Sequence, residues 1–196
     1  MTDSSLKVAA VVYNPIKVDI AVLRANVEAE AQAAGWGETL WFETTVEDGG
    51  QGVTRQALEQ NVDMVISAGG DGTVRAVAEA LHDSNTPLAL LPSGTGNLLA
   101  RNLKLTLGDM PGSVHSAFTG IDRAIDLGLI DIERADTSRD RHAFVVMAGK
   151  RLVARLSRPE EIEIDGDSFG EAMAFNAWVV PGGLMIRVPA EHPATA

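Results

Sequence analysis

The chain of 196 residues has no cysteine, so disulfides and thiolate metal sites are excluded. It is short of basic residues: 16 Lys and Arg against 27 Asp and Glu leave a formal charge of −11. That balance argues against a nucleic-acid partner, whose affinity would rest on cations meeting phosphates. It also argues against strong electrostatic adsorption to anionic lipid, leaving only a local contact with a membrane surface. No apolar run approaches the roughly 18–20 residues of a membrane-spanning helix. The opening MTDSSLKVAAVVYNP lacks the basic start and small-residue cleavage site of a signal peptide. Internal repeats and low-complexity tracts are missing too. What remains is the expectation of a cytoplasmic protein with one domain and a small second one, and a 45% apolar content suited to a packed core.

Along residues 1–123 short apolar runs alternate with helical periodicity. Residues 6–13 (LKVAAVVY), 39–44 (TLWFET), 64–66 and 88–91 read as strands. Asp19 is placed to cap a helix with Ile20, Leu23, Val27, Ala31 and Ala34 on one face, stopping at Gly35. Further helices fall over residues 53–60, after Thr73, through Leu98 and Leu103, and over 111–118. This alternation is the pattern of a parallel sheet with helices on both faces. From about residue 124 the helices cease. Residues 124–127, 129–133, 142–147, 152–156, 161–164, 172–180 and 184–188 read as antiparallel strands, with Asp165-Gly166 and Pro181-Gly182-Gly183 as hairpin turns. The expected division is therefore an α/β domain over 1–123 and a small β-rich domain over 124–196.

Two glycine-rich turns carry the chemistry. DMVISAGGDGTVR at residues 63–75 runs from a strand through Gly69, Gly70, Asp71, Gly72 and Thr73 into a helix whose face is Val74, Val77, Ala78 and Leu81. Glycine tolerates positive φ and lets a ligand reach the bare backbone. The first-turn N–H groups of a helix lack internal partners and favour an anion such as phosphate. A carboxylate there, Asp71, makes sense if Mg²⁺ joins it to the phosphates; the plain alternative is an ordinary tight strand-to-helix turn. The second turn, PSGTGN at residues 92–97, again lies between strand and helix, so Gly94 and Thr95 join the same crevice. Asn97 could donate to phosphate or ribose, or equally cap the next helix. Thr44 and Thr45 could meet the phosphates or merely cap a strand end, and Asn14 completes the row of strand ends. There is no GxxxxGK[ST] and no GxGxxG. The four scattered histidines have no catalytic pattern around them, and Ser93 lacks the frame of a nucleophile. Asp165-Gly166-Asp167 is first of all a type I′ turn pair; a carboxylate there could instead accept the proton of an attacking hydroxyl. The cluster Lys150, Arg151, Arg155 and Arg158 suits a solvated strand edge as well as a partner site.

In order and spacing, YNP at 13–15, Thr44-Thr45, GGDGT, PSGTGN, Asp126-Leu127-Gly128 and DGD resemble the diacylglycerol kinase catalytic-domain family, which includes bacterial lipid kinases, sphingosine kinases and ceramide kinase. GGDGT alone is shared with NAD kinases. The resemblance implies an ATP-dependent lipid kinase acting on diacylglycerol or a similar membrane lipid. Residues 69–73 would then cradle the ATP phosphates, Asp71 would help hold Mg²⁺, and Asn14, Thr45 and Thr95 would touch ATP. Either Asp165 or Asp167 would be the catalytic base. It implies, too, a protein that visits the membrane periphery, and it accommodates a homodimer. The chain departs from the family in three places near the crevice: Arg75 follows GGDGT where many relatives have Asn, the first strand ends NPIKV rather than NPxSG, and Asp167 replaces a Glu. A larger departure falls at 149/150, where a long stretch of the lipid-facing β-sandwich is absent. The rival expectations are a catalytically impaired nucleotide-binding remnant and an NAD kinase-like phosphotransferase.

Overall fold

The computed structural model describes residues 6–93, 96–134, 139–144, 149–164 and 167–193. The aliphatic run ending in Tyr13 is buried on both faces and forms β1 (Ala9–Tyr13). Pro15 bars further pairing, and α1 (Ile20–Ala33) begins where Asp19 Oδ1 accepts the N–H groups of Ala21 (3.0 Å) and Val22 (3.1 Å). Alternating strands and helices follow: β2 (Leu40–Glu43), α2 (Gln51–Glu59), β3 (Met64–Gly69), α3 (Asp71–Leu81), β4 (Leu88–Pro92), α4 (Leu98–Asn102) and α5 (Met110–Thr119). The rest is strand: β5 (Ile121–Glu133), β6 (Arg139–Phe144), β7 (Arg151–Ile164) and β8 (Asp167–Val188).

Two compact units result. The first takes the chain up to Ala124 and again from Leu184; the second is Ile125–Gly183. In the first unit β2, β1, β3 and β4 lie side by side in that order, all parallel. The last residues of β8 join beside β4, with Leu88 opposite Ile186 and Ala89 opposite Arg187, also in parallel. Because β1 has β2 on one side and β3 on the other, successive crossovers leave in opposite directions from it. The strand order therefore switches between β1 and β3, and the crevice at their carboxyl ends is where sheets of this kind take ligands. Helices cover both faces. Ala9, Val11, Tyr13, Met64, Ile66, Ala68, Ala89 and Leu91 share a core with Leu23 and Val27 of α1 and Val114, Ala117 and Phe118 of α5. The alternate residues, among them Val12, Val65 and Leu90, face the other way. On that side a Cβ at Gly50, before α2, would meet Val12, Ala76 and Val77 at 3.4–3.6 Å.

In the second unit β5 pairs antiparallel with β6 and β7 with β8. Its small core is Ile130, Ile132, Ala172 and Ala177, flanked by Ile162, Ile164, Phe169 and Phe175. Three expectations change here. The expected pairs of short strands are single long ones, β7 surviving a register shift between Arg155 and Glu160. Pro181-Gly182-Gly183 is not a hairpin, because β8 runs straight through it. Gly182 takes φ +63°, and its N–H goes to Asp126 Oδ1 (3.0 Å), as befits a kinked strand in which one amide leaves the ladder. As a result residues from Leu184 belong to the parallel unit and not to the β-rich domain expected over 124–196.

Candidate functional site

The fully buried β3 ends at Gly69, and the chain turns at once into α3. A Cβ on Gly69 would lie 2.7 Å from both Cβ and Oγ1 of Thr73, so only glycine lets Thr73 fold back over the strand end. Around Gly70 the space a Cβ would occupy is open. Its φ is −88°, and neither Gly69 nor Gly72 takes a positive φ. These glycines thus supply room for close approach rather than the left-handed backbone that glycine-rich turns often need. Gly70 holds the N-cap position with no side-chain cap. The helical ladder opens with Val74 N–H to Gly70 O (3.0 Å), so the N–H groups of Asp71, Gly72 and Thr73 precede it. Such a helix start attracts an anion through its amides and its dipole.

Backbone bonds draw the neighbouring strand ends up to this turn. Asn14 N–H donates to Ala68 O (2.9 Å), Thr44 N–H to Tyr13 O (2.9 Å), and Ser93 N–H to Gly69 O (3.2 Å). Asn14, Thr44 and residues 69–73 therefore share one edge of the sheet. The Asn14 side chain also closes its own loop by accepting Ile16 N–H (3.0 Å). Thr45 stands one residue further out. Its Oγ1 accepts Asp48 N–H (3.0 Å) and its N–H donates to Asp48 O (2.9 Å), so it serves a local turn. At the end of β1, burial and then the hydrogen bond to Glu43 (2.8 Å) raise the Tyr13 phenol above its ordinary value and keep it a neutral donor.

The Asp71 carboxylate spans to the second turn. Oδ2 accepts the N–H of Asn97 (2.9 Å) and Oδ1 that of Leu98 (2.6 Å), the two amides that open α4. A Cβ on Gly96 would collide with Oδ2, so this contact requires a glycine. Asn97 lies at the N-cap of α4 in left-handed conformation (φ 48°, ψ 51°), but its side chain does not cap that helix. Arg101 Nε donates to Gly96 O (2.6 Å), fastening the turn from its other side. Gly94 and Thr95 lie outside the described residues, as do Asp165, Gly166 and the side chain of Asp167. On either side of that tip Ile164 opposes Asp167 in antiparallel register.

Two residues at this edge escaped the sequence reading. Asp48 caps α2: Oδ1 accepts Gly50 N–H and Gly52 N–H (3.0 Å each) and Oδ2 accepts Val53 N–H (2.8 Å). Burial alone would raise its carboxyl, but the amides of Gly50, Gly52, Val53 and Gln51 outweigh that and hold it below the usual value. The signal was present, an acid two residues before the helix's glycine N-cap. Lys17 helps line a cavity of about 230 Å³ with Asp19, Pro92, Ser93 and Gly108, beside the end of β4.

Among the described residues no three His, Asp or Glu side chains converge on a metal position. A lone carboxylate still suits Mg²⁺, which commonly takes one or two carboxylates and completes its shell with water and substrate phosphate. Each Asp71 oxygen has accepted one N–H, and a carboxylate offers about four lone-pair sites, so the donor set fits.

The model of the diacylglycerol kinase catalytic domain matches residues 9–130. A diacylglycerol kinase of Bacillus subtilis is 30% identical over 130 residues, covering 64% of this chain and 43% of that protein. A YegS-like lipid kinase of Pseudomonas fluorescens is 41% identical over 109 residues, 54% of this chain and 35% of that one. The matches thus span less than half the length of these curated relatives. The crystal structure of a diacylglycerol kinase from Bacillus anthracis superposes with a TM-score of 0.69 across both chains at 16% identity, a likeness of fold. With the match running from β1 into β5 and taking in both glycine turns, the chain belongs to the diacylglycerol kinase catalytic-domain family.

Proposed function

We propose that the crevice at the carboxyl ends of β1, β3 and β4 binds ATP with Mg²⁺, and that the protein transfers the γ-phosphoryl group to the hydroxyl of diacylglycerol or a similar membrane lipid. The observation that carries this is the start of α3: open backbone at Gly70 and amides at 71–73 without a side-chain cap, set at the switch point of a parallel sheet. Phosphates would lie against those amides, with Asn14, Thr44 and Thr73 around them, and Thr45, Gly94, Thr95 and Asn97 are proposed as further nucleotide contacts. Mg²⁺, bound through Asp71, would neutralise charge on the transferred group. The lipid oxygen bonds to the γ-phosphorus as the bond to the β–γ bridging oxygen breaks and ADP leaves. The hydroxyl proton passes to a carboxylate of the DGD tip, Asp165 or Asp167. Such a protein would work from the cytoplasm at the membrane surface.

The short match to longer relatives favours one alternative, a remnant that binds nucleotide and no longer transfers phosphate. Labelled ATP offered with diacylglycerol, sphingosine or NAD in detergent micelles separates the two. Labelled lipid supports the kinase, and its loss in Asp165→Asn or Asp167→Asn identifies the base. ATP binding without any labelled product establishes the remnant. A protein that binds no nucleotide defeats both.

A further inference from the structure

An acid near the start of a helix can accept that helix's own free amides, as an N-cap or capping-box side chain does. Asp71 does not. Its two oxygens accept Asn97 N–H and Leu98 N–H, one each, 26 and 27 residues further along the chain. Two further observations fit this crossing. Gly96 leaves out the one atom that would displace the carboxylate. Asn97, buried and not glycine, is held in the left-handed region, which Asn tolerates better than most residues but which its surroundings must still favour. That conformation presents its own amide and the next one to the same carboxylate.

Resting on the nucleotide reading above, we infer that Asp71 is a positioning residue: its carboxylate latches the end of the second glycine turn to the first and so sets the shape of the phosphate crevice before any metal binds. The latch also explains a negative charge inside an anion site. The Asp71 charge is answered by the two opening amides of α4, which leaves the α3 amides to the phosphates. A metal ligand and a latch make different demands on Gly96. As a ligand Asp71 needs nothing from residue 96, whereas as a latch it fails once a methyl group stands there.

The test uses Asp71→Asn and Gly96→Ala in the whole chain, titrated with ATP in EDTA and then with Mg²⁺, alongside hydrogen exchange at the amides of Asn97 and Leu98. Asp71→Asn is nearly isosteric, and melting curves confirm that both variants fold. The latch predicts that both lose about tenfold in ATP affinity even without metal, as expected for charge-assisted bonds lost from a preorganised site. It predicts faster exchange at both amides as well. An Asp71→Asn defect that appears only with Mg²⁺, with Gly96→Ala binding like the wild type, makes Asp71 a metal ligand alone and overturns the inference. Wild-type protein that binds no ATP sinks the nucleotide reading instead. The exchange rates still decide the latch in that case, and unchanged rates in Asp71→Asn refute it. Should Gly96→Ala fail to fold, Asp71→Asn in EDTA and its exchange rates decide between latch and ligand.

Discussion

Asp48 offers a quantitative check on how this fold uses its carboxylates. It accepts three backbone N–H groups at 2.8–3.0 Å from the start of α2, a helix whose N-cap, Gly50, brings no side chain of its own. Deleting a helix cap costs about 1 kcal/mol, with an upper end near 2 when the acceptor is charged and several donors are orphaned. Asp48→Ala belongs at that upper end. For a chain of this size, about 2 kcal/mol lowers the melting temperature by roughly 4–8 °C. Asp48→Asn keeps the oxygen that serves Gly50 and Gly52 but turns an amide NH₂ toward Val53 N–H. It should lose about 1 kcal/mol at neutral pH.

The pH dependence has a definite sign. The folded carboxyl of Asp48 sits below its ordinary value of 3.8. A group depressed on folding contributes fully above its unfolded pKa and loses that contribution as pH falls through the folded one. The gap in stability between wild type and Asp48→Asn should therefore be level from neutral pH down to about 4.5, and close in more acid solution. Urea unfolding of both proteins at several pH values measures it. A gap that widens on acidification refutes the assignment, as does an Asp48→Ala protein melting within about 1 °C of wild type.

The remaining predictions are briefer. Ser67 is fully buried in the middle of β3, and its hydroxyl has no hydrogen-bond partner among the described residues; Ser67→Ala should be neutral or stabilising by about 1 kcal/mol, and a clear loss in melting temperature would count against that placement. Arg187 meets both oxygens of Asp122 (2.6 and 2.7 Å) and donates to Ala117 O (3.3 Å). Its side chain is 9% exposed against 37% for Asp122, so Arg187→Leu should cost about 2 kcal/mol in urea unfolding, less than the roughly 3–5 of a wholly buried pair. Stripping divalent cations should abolish phosphoryl transfer while leaving ATP binding measurable by calorimetry, because the α3 amides need no metal to meet phosphate.

The parts of this fold that depend on neighbours in sequence were open to reading. The aliphatic runs of β1, β3 and β4, the Asp19 cap and the apolar face of α3 announce themselves through burial pattern and local hydrogen-bond chemistry. What stayed illegible, or misled, did so where the partner is remote. The amides that Asp71 accepts from lie 26 and 27 residues away, so its reach across to the second turn leaves no local mark. Pro181-Gly182-Gly183 carries every local mark of a hairpin, but the amide that leaves the ladder at Gly182 is met by Asp126, 56 residues earlier, and the strand goes on. Gly69 of the first turn is essential to it, but for a cause other than backbone freedom: the constraint is the Thr73 side chain, a packing contact that no propensity scale reports.

β8 has a consequence for how the protein is made. The segment Leu184–Val188 completes the parallel sheet beside β4, yet the whole of Ile125–Gly183 is synthesised between the two. During translation the first unit emerges early but must wait with the β4 side of its sheet unpaired, a row of free backbone N–H and C=O groups open to other nascent chains. Its last strand arrives only after the second unit has left the ribosome. Arrest of synthesis before Leu184 should therefore leave a sticky, unsealed intermediate, and a chaperone that shields strand edges would find its client there.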